Sequence, residues 1–141
     1  MTTLEGKRVF YAEDDIKNRA AVQLTLTRAG AIVKMGRGRT ISEMTLAMRA
    51  AMPLDLVLLD LMYPNLMTGY DIYAAMQADS DLCDVPVIIV SASDPAVEIP
   101  RAQELGLHGF IAKPINVRQF HNQLATCLAG EPVWDEGLSH Y

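Results

Sequence analysis

The chain has 141 residues, half of them hydrophobic, which is enough for one domain with a real core. Its formal net charge of −5 argues against direct contact with nucleic acid, which calls for a basic face. The N-terminus carries Glu5 and no leader-like apolar core, no apolar run approaches the ~20 residues of a membrane span, and Cys83 and Cys127 lack metal-ligand spacing, so a soluble cytoplasmic chain with reduced cysteines and no membrane insertion is expected.

Residues 7–12 (KRVFYA) are a short apolar run and predict a first strand, which stops at Glu13, Asp14 and Asp15. Over residues 16–29 apolar side chains recur at Ile16, Ala20, Val22, Leu24 and Leu26, the spacing of an amphipathic helix, with Asp15 as its N-cap and Gly30 just past its end. Residues 31–35 predict a second strand, followed by a solvated loop carrying Arg37 and Arg39. Thr40 or Ser42 caps a second helix that Pro53 ends.

Residues 54–61 (LDLVLLDL) are apolar apart from Asp55 and Asp60, as suits a central parallel strand covered on both faces. A loop and a helix over 70–78 precede a second such run, residues 86–90 (PVIIV). A fourth helix spans Pro95–Leu105, and Pro100, which has no N–H to donate, predicts that it is kinked, short or mobile. Residues 109–112 form the last strand and 116–128 the last helix. Residues 130–141, with Pro132 and Trp134, read as a tail too short for a second domain, so the division is a domain over 1–129 and a tail. Trp134 either folds back on that domain or meets a partner.

Five strands alternating with five helices predict an α/β fold with a doubly wound, five-stranded parallel sheet in flavodoxin-like order 2-1-3-4-5, helices on both faces. Ligands of such folds bind outside the carboxyl ends of the strands. Those ends carry Glu13 and Asp14, Asp60, Ser91 and Lys113. Converging carboxylates repel one another unless a cation is present, and an all-oxygen set suits Mg²⁺ better than Zn²⁺. A carboxylate at Asp60 can act as nucleophile toward a phosphoryl group, whose charge a cation and Lys113 would offset while Ser91 offers a hydroxyl. His108, His121 and His140 are scattered and read as structural or exposed. Met44, Met48 and Met52 at helical spacing read as core filler.

The segments VFYAEDD (9–15), LVLLDLMYP (56–64), VIIVSAS (87–93) and GFIAKPI (109–115) together resemble the receiver domains of two-component response regulators, over roughly residues 6–129. The resemblance implies a stand-alone receiver in which Asp60 is the phosphoacceptor. Asp14, Asp60 and the Met62 backbone carbonyl would ligate Mg²⁺, with Glu13 acting through water. Ser91 and Lys113 would engage the phosphoryl group, Ser91 and Phe110 would form the switch, and the Lys113–Pro114 bond would be cis. A sensor histidine kinase or histidine phosphotransfer protein is implied as donor. A downstream protein is implied as target, and a homodimer through the face of helix 4, strand 5 and helix 5 is allowed. The chain departs from the pattern in having Glu13 for the commoner Asp, one extra residue in the loop 64–69, Thr68 where an acid is common, and the proline-bearing fourth helix.

Other readings fit less well. A haloacid-dehalogenase-type phosphatase needs a second Asp two residues after its nucleophile, where Ile16 follows Asp14. A flavodoxin needs a Ser/Thr/Gly-rich loop after strand 1, where three acids stand. A degenerate receiver acting as a phosphorylation-independent binding module is opposed by the intact acid pair, Asp60, Ser91 and Lys113.

Overall fold

Strand formation starts from the apolar runs. The computed structural model describes residues 3–137. In chain order it contains β1 (Arg8–Ala12), α1 (Ile16–Arg28), β2 (Ile32–Gly36), α2 (Ile41–Ala51), β3 (Leu56–Leu59), a 3₁₀ turn (Pro64–Leu66), α3 (Gly69–Gln77), β4 (Val87–Ser91), α4 (Pro95–Leu105), β5 (Gly109–Ala112), α5 (Phe120–Leu128) and β6 (Val133–Asp135). Every residue of β3, β4 and β5 is buried, as their near-continuous hydrophobicity requires.

The strands form one parallel sheet in the order β2-β1-β3-β4-β5-β6. The expected order 2-1-3-4-5 is present, and a sixth strand is added at the β5 edge. It comes from the segment read as a tail, so Trp134 folds back. Gly130, at φ 94, turns the chain after α5, and Val133 N then donates to His108 O at 3.2 Å. This brings Val133, Trp134 and Asp135 opposite Gly109, Phe110 and Ile111. Three residues behind a proline are too short a run for periodicity to reveal.

Side chains alternate across the sheet, which makes two cores. Phe10, Val57, Leu59, Ile89 and Phe110 pack under Met44, Met48, Ile72, Met76 and Ala102, the inner sides of α2, α3 and α4. Val9, Tyr11, Leu58, Val90 and Ile111 pack under Val22, Leu26, Phe120 and Leu124 of α1 and α5. Met44 and Met48 are thus core, as expected, and Met52 packs against the same cluster while partly buried.

Local chemistry sets the helix ends. Asp15 accepts from Lys17 N at 2.9 Å, and Gly30, at φ 95, follows α1. Thr40, of the two candidates, caps α2 by accepting from Glu43 N. Thr68, where the family pattern favours an acid, caps α3 in a reciprocal pair with Asp71 and starts that helix at Gly69. The last helix begins later than expected, at Phe120, because Asn116 first closes a turn by accepting from Arg118 N at 3.1 Å.

α4 is not shortened by Pro100 and runs 11 residues from the Asp94 cap to Gly106. Contacts to α3 hold this helix in place: Tyr70 Oη donates to Glu98 Oε1 at 2.8 Å, the Arg101 guanidinium lies 4.8 Å from the Tyr70 ring centroid, and Tyr73 Oη donates to Gly106 O at 3.0 Å. Among the described residues no helix is long and apolar enough to cross a membrane. His140 lies outside the described residues, as does the end of the tail.

Candidate phosphoacceptor site

At the carboxyl end of the sheet, chain segments leaving β1, β3, β4 and β5 bring polar side chains to one place. Glu13 follows β1 and is 4% exposed. Its Oε1 accepts from Asp15 N at 3.0 Å, and its Oε2 accepts from Tyr11 Oη at 3.0 Å. Asp60 follows β3, and its Oδ1 accepts from Leu61 N at 2.6 Å. Lys113 follows β5 and bridges both acids, donating from Nζ to Glu13 Oε2 at 2.7 Å and to Asp60 Oδ2 at 2.9 Å. Its backbone N donates to Ser91 O at 2.8 Å, tying the ends of β4 and β5 together. The Lys113–Pro114 peptide is cis, as expected.

Charge and burial compete here. Burial and the adjacent Glu13 carboxylate push the Asp60 carboxyl above its ordinary value, against the pull of Lys113. Burial acts the same way on Glu13, but Lys113 and the Asp15 N–H outweigh it and hold that carboxyl low. The two acids in turn raise Lys113 despite its burial, so it stays an ammonium.

Ser91 is 1% exposed, and its Oγ accepts from Ser93 N at 3.0 Å. An acceptor role leaves the hydroxyl hydrogen free to donate. Asp60, Met62, Ser91, Ala92, Ser93 and Lys113 line a cavity of about 350 Å³. Asp14 instead lines a neighbouring cavity of about 650 Å³ with Arg37, Arg39, Glu43 and Asn65. Glu13, Asp60, Ser91 and Lys113 are therefore brought together, while Asp14 opens onto the adjoining space. Among the described residues no three His, Cys, Asp or Glu side chains form a metal-holding group on their own. A cation here would rely on few carboxylates, the Met62 carbonyl and water. Those are hard oxygen donors that fit Mg²⁺, an ion that keeps several of its waters.

Phe110 lies in the core under α4 and is fully buried. Three residues that shape the site escaped the sequence reading. Tyr11 holds Glu13 from within β1, and its place two residues earlier made it the one detectable by alternation. Tyr63 donates to Ala12 O at 2.8 Å. Gly69 lets α3 approach: a Cβ there would stand 2.4 Å from Asp60 O.

A family model described as "Response regulator receiver domain" matches residues 9–125. The chain belongs to that family. Its receiver is 34% identical over 113 residues to the transcriptional regulatory protein CseB of Streptomyces avermitilis, covering 79% of this chain and 45% of the relative. It is 33% identical over 118 residues to the DNA-binding response regulator MtrA of Mycolicibacterium paratuberculosis, covering 80% and 47%. The chain thus spans about half the length of these curated relatives. Among solved structures, the HemR receiver domain of Leptospira biflexa matches with TM-score 0.72 and 28% identity, covering 87% of this chain and 94% of that one. The chemotaxis response regulator CheY4 of Vibrio cholerae matches in fold with TM-score 0.74 and 23% identity, covering 86% and 98%. Receiver domains of this family are signalling phosphoacceptor domains, and phosphorylation-dependent signalling is the class of function that membership supports.

Proposed function

We propose that this receiver takes a phosphoryl group on Asp60, from a sensor histidine kinase or histidine phosphotransfer protein in the cytoplasm, and passes the signal on by protein contact. The observation that carries this reading is Lys113 Nζ bridging Glu13 and Asp60 beside the buried hydroxyl of Ser91. An Asp60 oxygen attacks phosphorus, the P–N bond to the donor imidazole breaks, and the departing imidazole takes a proton from solvent. The product is an acyl phosphate. Lys113 moves its ammonium from Asp60 to a phosphoryl oxygen, and Ser91 donates its free hydroxyl hydrogen to another.

Mg²⁺ would be held by Asp14, Asp60 and the Met62 carbonyl, with Glu13 acting through water. When bound, it offsets charge on the transferred group. Ala92, small and at the cavity rim, leaves room for water, so the acyl phosphate hydrolyses in time and the chain limits its own signal. Ser91 and Phe110 would carry the change from the site toward α4 and β5. The receiver takes in β6 beyond residue 129, and the output is by contact with another protein.

The test is incubation with acetyl phosphate and Mg²⁺, read by intact mass. Wild type should gain one phosphoryl group and Asp60→Asn none. A wild type that neither binds Mg²⁺ nor gains mass would replace this reading with a phosphorylation-independent binding module.

A further inference from the structure

The β5 edge, part of the face through which a homodimer was allowed, is covered in this chain. β6 lies on it in parallel register, with Trp134 opposite Phe110 and Asp135 opposite Ile111. Val133 is 9% exposed, and Trp134 packs against the core cluster that contains Phe110. Asp135, 8% exposed, latches the strand: its Oδ2 accepts from Gln123 Nε2 of α5 at 2.8 Å, and its Oδ1 accepts from Gly137 N at 2.7 Å. A Cβ on Gly137 would stand 3.2 Å from Ala112 Cβ, so the chain after β6 runs against the residue just before Lys113.

The seat is shallow. β6 has three residues and one sheet neighbour. Among the described residues, Gln123 Oε1 is buried without a hydrogen-bond partner beside this latch. Short edge elements with few backbone bonds open at lower free energy than the sheet centre.

We propose that β6 is a self-covering strand that blocks the β5 edge, and that filling the Asp60 pocket loosens it. The inference rests on the phosphoacceptor reading. An incoming phosphoryl group draws the Lys113 ammonium and the Ser91 hydroxyl toward itself. Lys113 N is bonded to Ser91 O, so the ends of β4 and β5 move together. Phe110 and Ile111, which pair with β6, lie on that end, as does Ala112, against which the chain runs at Gly137. Loosening β6 uncovers the β5 edge.

The experiment uses the full chain with Mg²⁺ and BeF₃⁻, a phosphoryl mimic. Hydrogen exchange by mass spectrometry reads the peptide containing residues 133–135, and the fluorescence of Trp134, the only tryptophan, reads the same strand. Exchange there should accelerate about fivefold on BeF₃⁻ binding, with a shift in Trp134 emission, and neither change should occur in Asp60→Asn. By reciprocity, Trp134→Ala, which weakens the seat, should bind BeF₃⁻ about fivefold more tightly. BeF₃⁻ binding with unchanged or slower exchange at 133–135 would overturn the coupling and leave the phosphoacceptor reading standing. No BeF₃⁻ binding by wild type would overturn both.

Discussion

Lys113 Nζ stands 2.9 Å from Asp60 Oδ2, joining residues 53 positions apart in the chain, and the same nitrogen also serves Glu13. One ammonium thus holds a buried and a half-buried carboxylate together at the ends of three different strands.

Removing it leaves both acids without their cation. Lys113→Ala should lose about 3 kcal/mol of stability, because breaking a buried ion pair strands the remaining charges. Urea denaturation checks this. The loss should shrink when Mg²⁺ is added, since a divalent cation can replace the missing ammonium.

Asp60→Asn should act in the opposite direction on stability. Burial and Glu13 raise the Asp60 carboxyl in the fold. A carboxyl raised on folding binds its proton more tightly in the native chain, so its charged form costs stability as pH rises through the folded value. In buffer without divalent cation, the Asn variant should be the more stable of the two at neutral pH, with the higher melting temperature. Thermal unfolding of the two chains side by side measures it, and the gain should diminish in mildly acidic buffer.

Gly69 is where α3 meets the backbone of Asp60. The Cβ of Gly69→Ala would stand 2.4 Å from Asp60 O, with Ile89 Cδ1 at 3.0 Å on the other side, so the carbonyl cannot be avoided by moving a side chain alone. The variant should lose about 1 to 3 kcal/mol and react more slowly with acetyl phosphate, since the strain falls on the peptide of Asp60, the proposed phosphoacceptor. Chemical denaturation and the time course of mass gain report the two effects separately.

His108 supplies a pH dependence away from the site. Its Nδ1 accepts from Val87 N at 3.1 Å, and burial pushes its pKa below the ordinary 6.5. An imidazole depressed in the fold binds fewer protons there than in the unfolded chain, so stability is full above about 6.5 and falls as pH drops toward the folded value. His108→Asn should flatten the stability curve between pH 7 and 5. Denaturation midpoints across that range test it.

Much of this was legible in the residues alone. Continuous apolar runs such as 56–59 and 87–90 mark buried parallel strands because only a strand covered on both faces has no use for alternation. Caps at Asp15 and Thr40 and the glycine after α1 follow from local backbone chemistry, which extends only a few residues. Glu13, Asp60, Ser91 and Lys113 could be named because strand ends in this architecture converge. The sixth strand, the hold of Tyr70 on α4, the hydrogen bonds of Tyr11 and Tyr63 and the clearance at Gly69 could not be named. Each depends on which surfaces meet once distant segments are packed, and three residues or one hydroxyl leave no periodic trace. That Asp60 stands at the end of a buried strand, among the other polar strand ends, was therefore readable from the chain. That one lysine bridges its acids, and that the chain's own end covers its edge strand, was decided by tertiary packing.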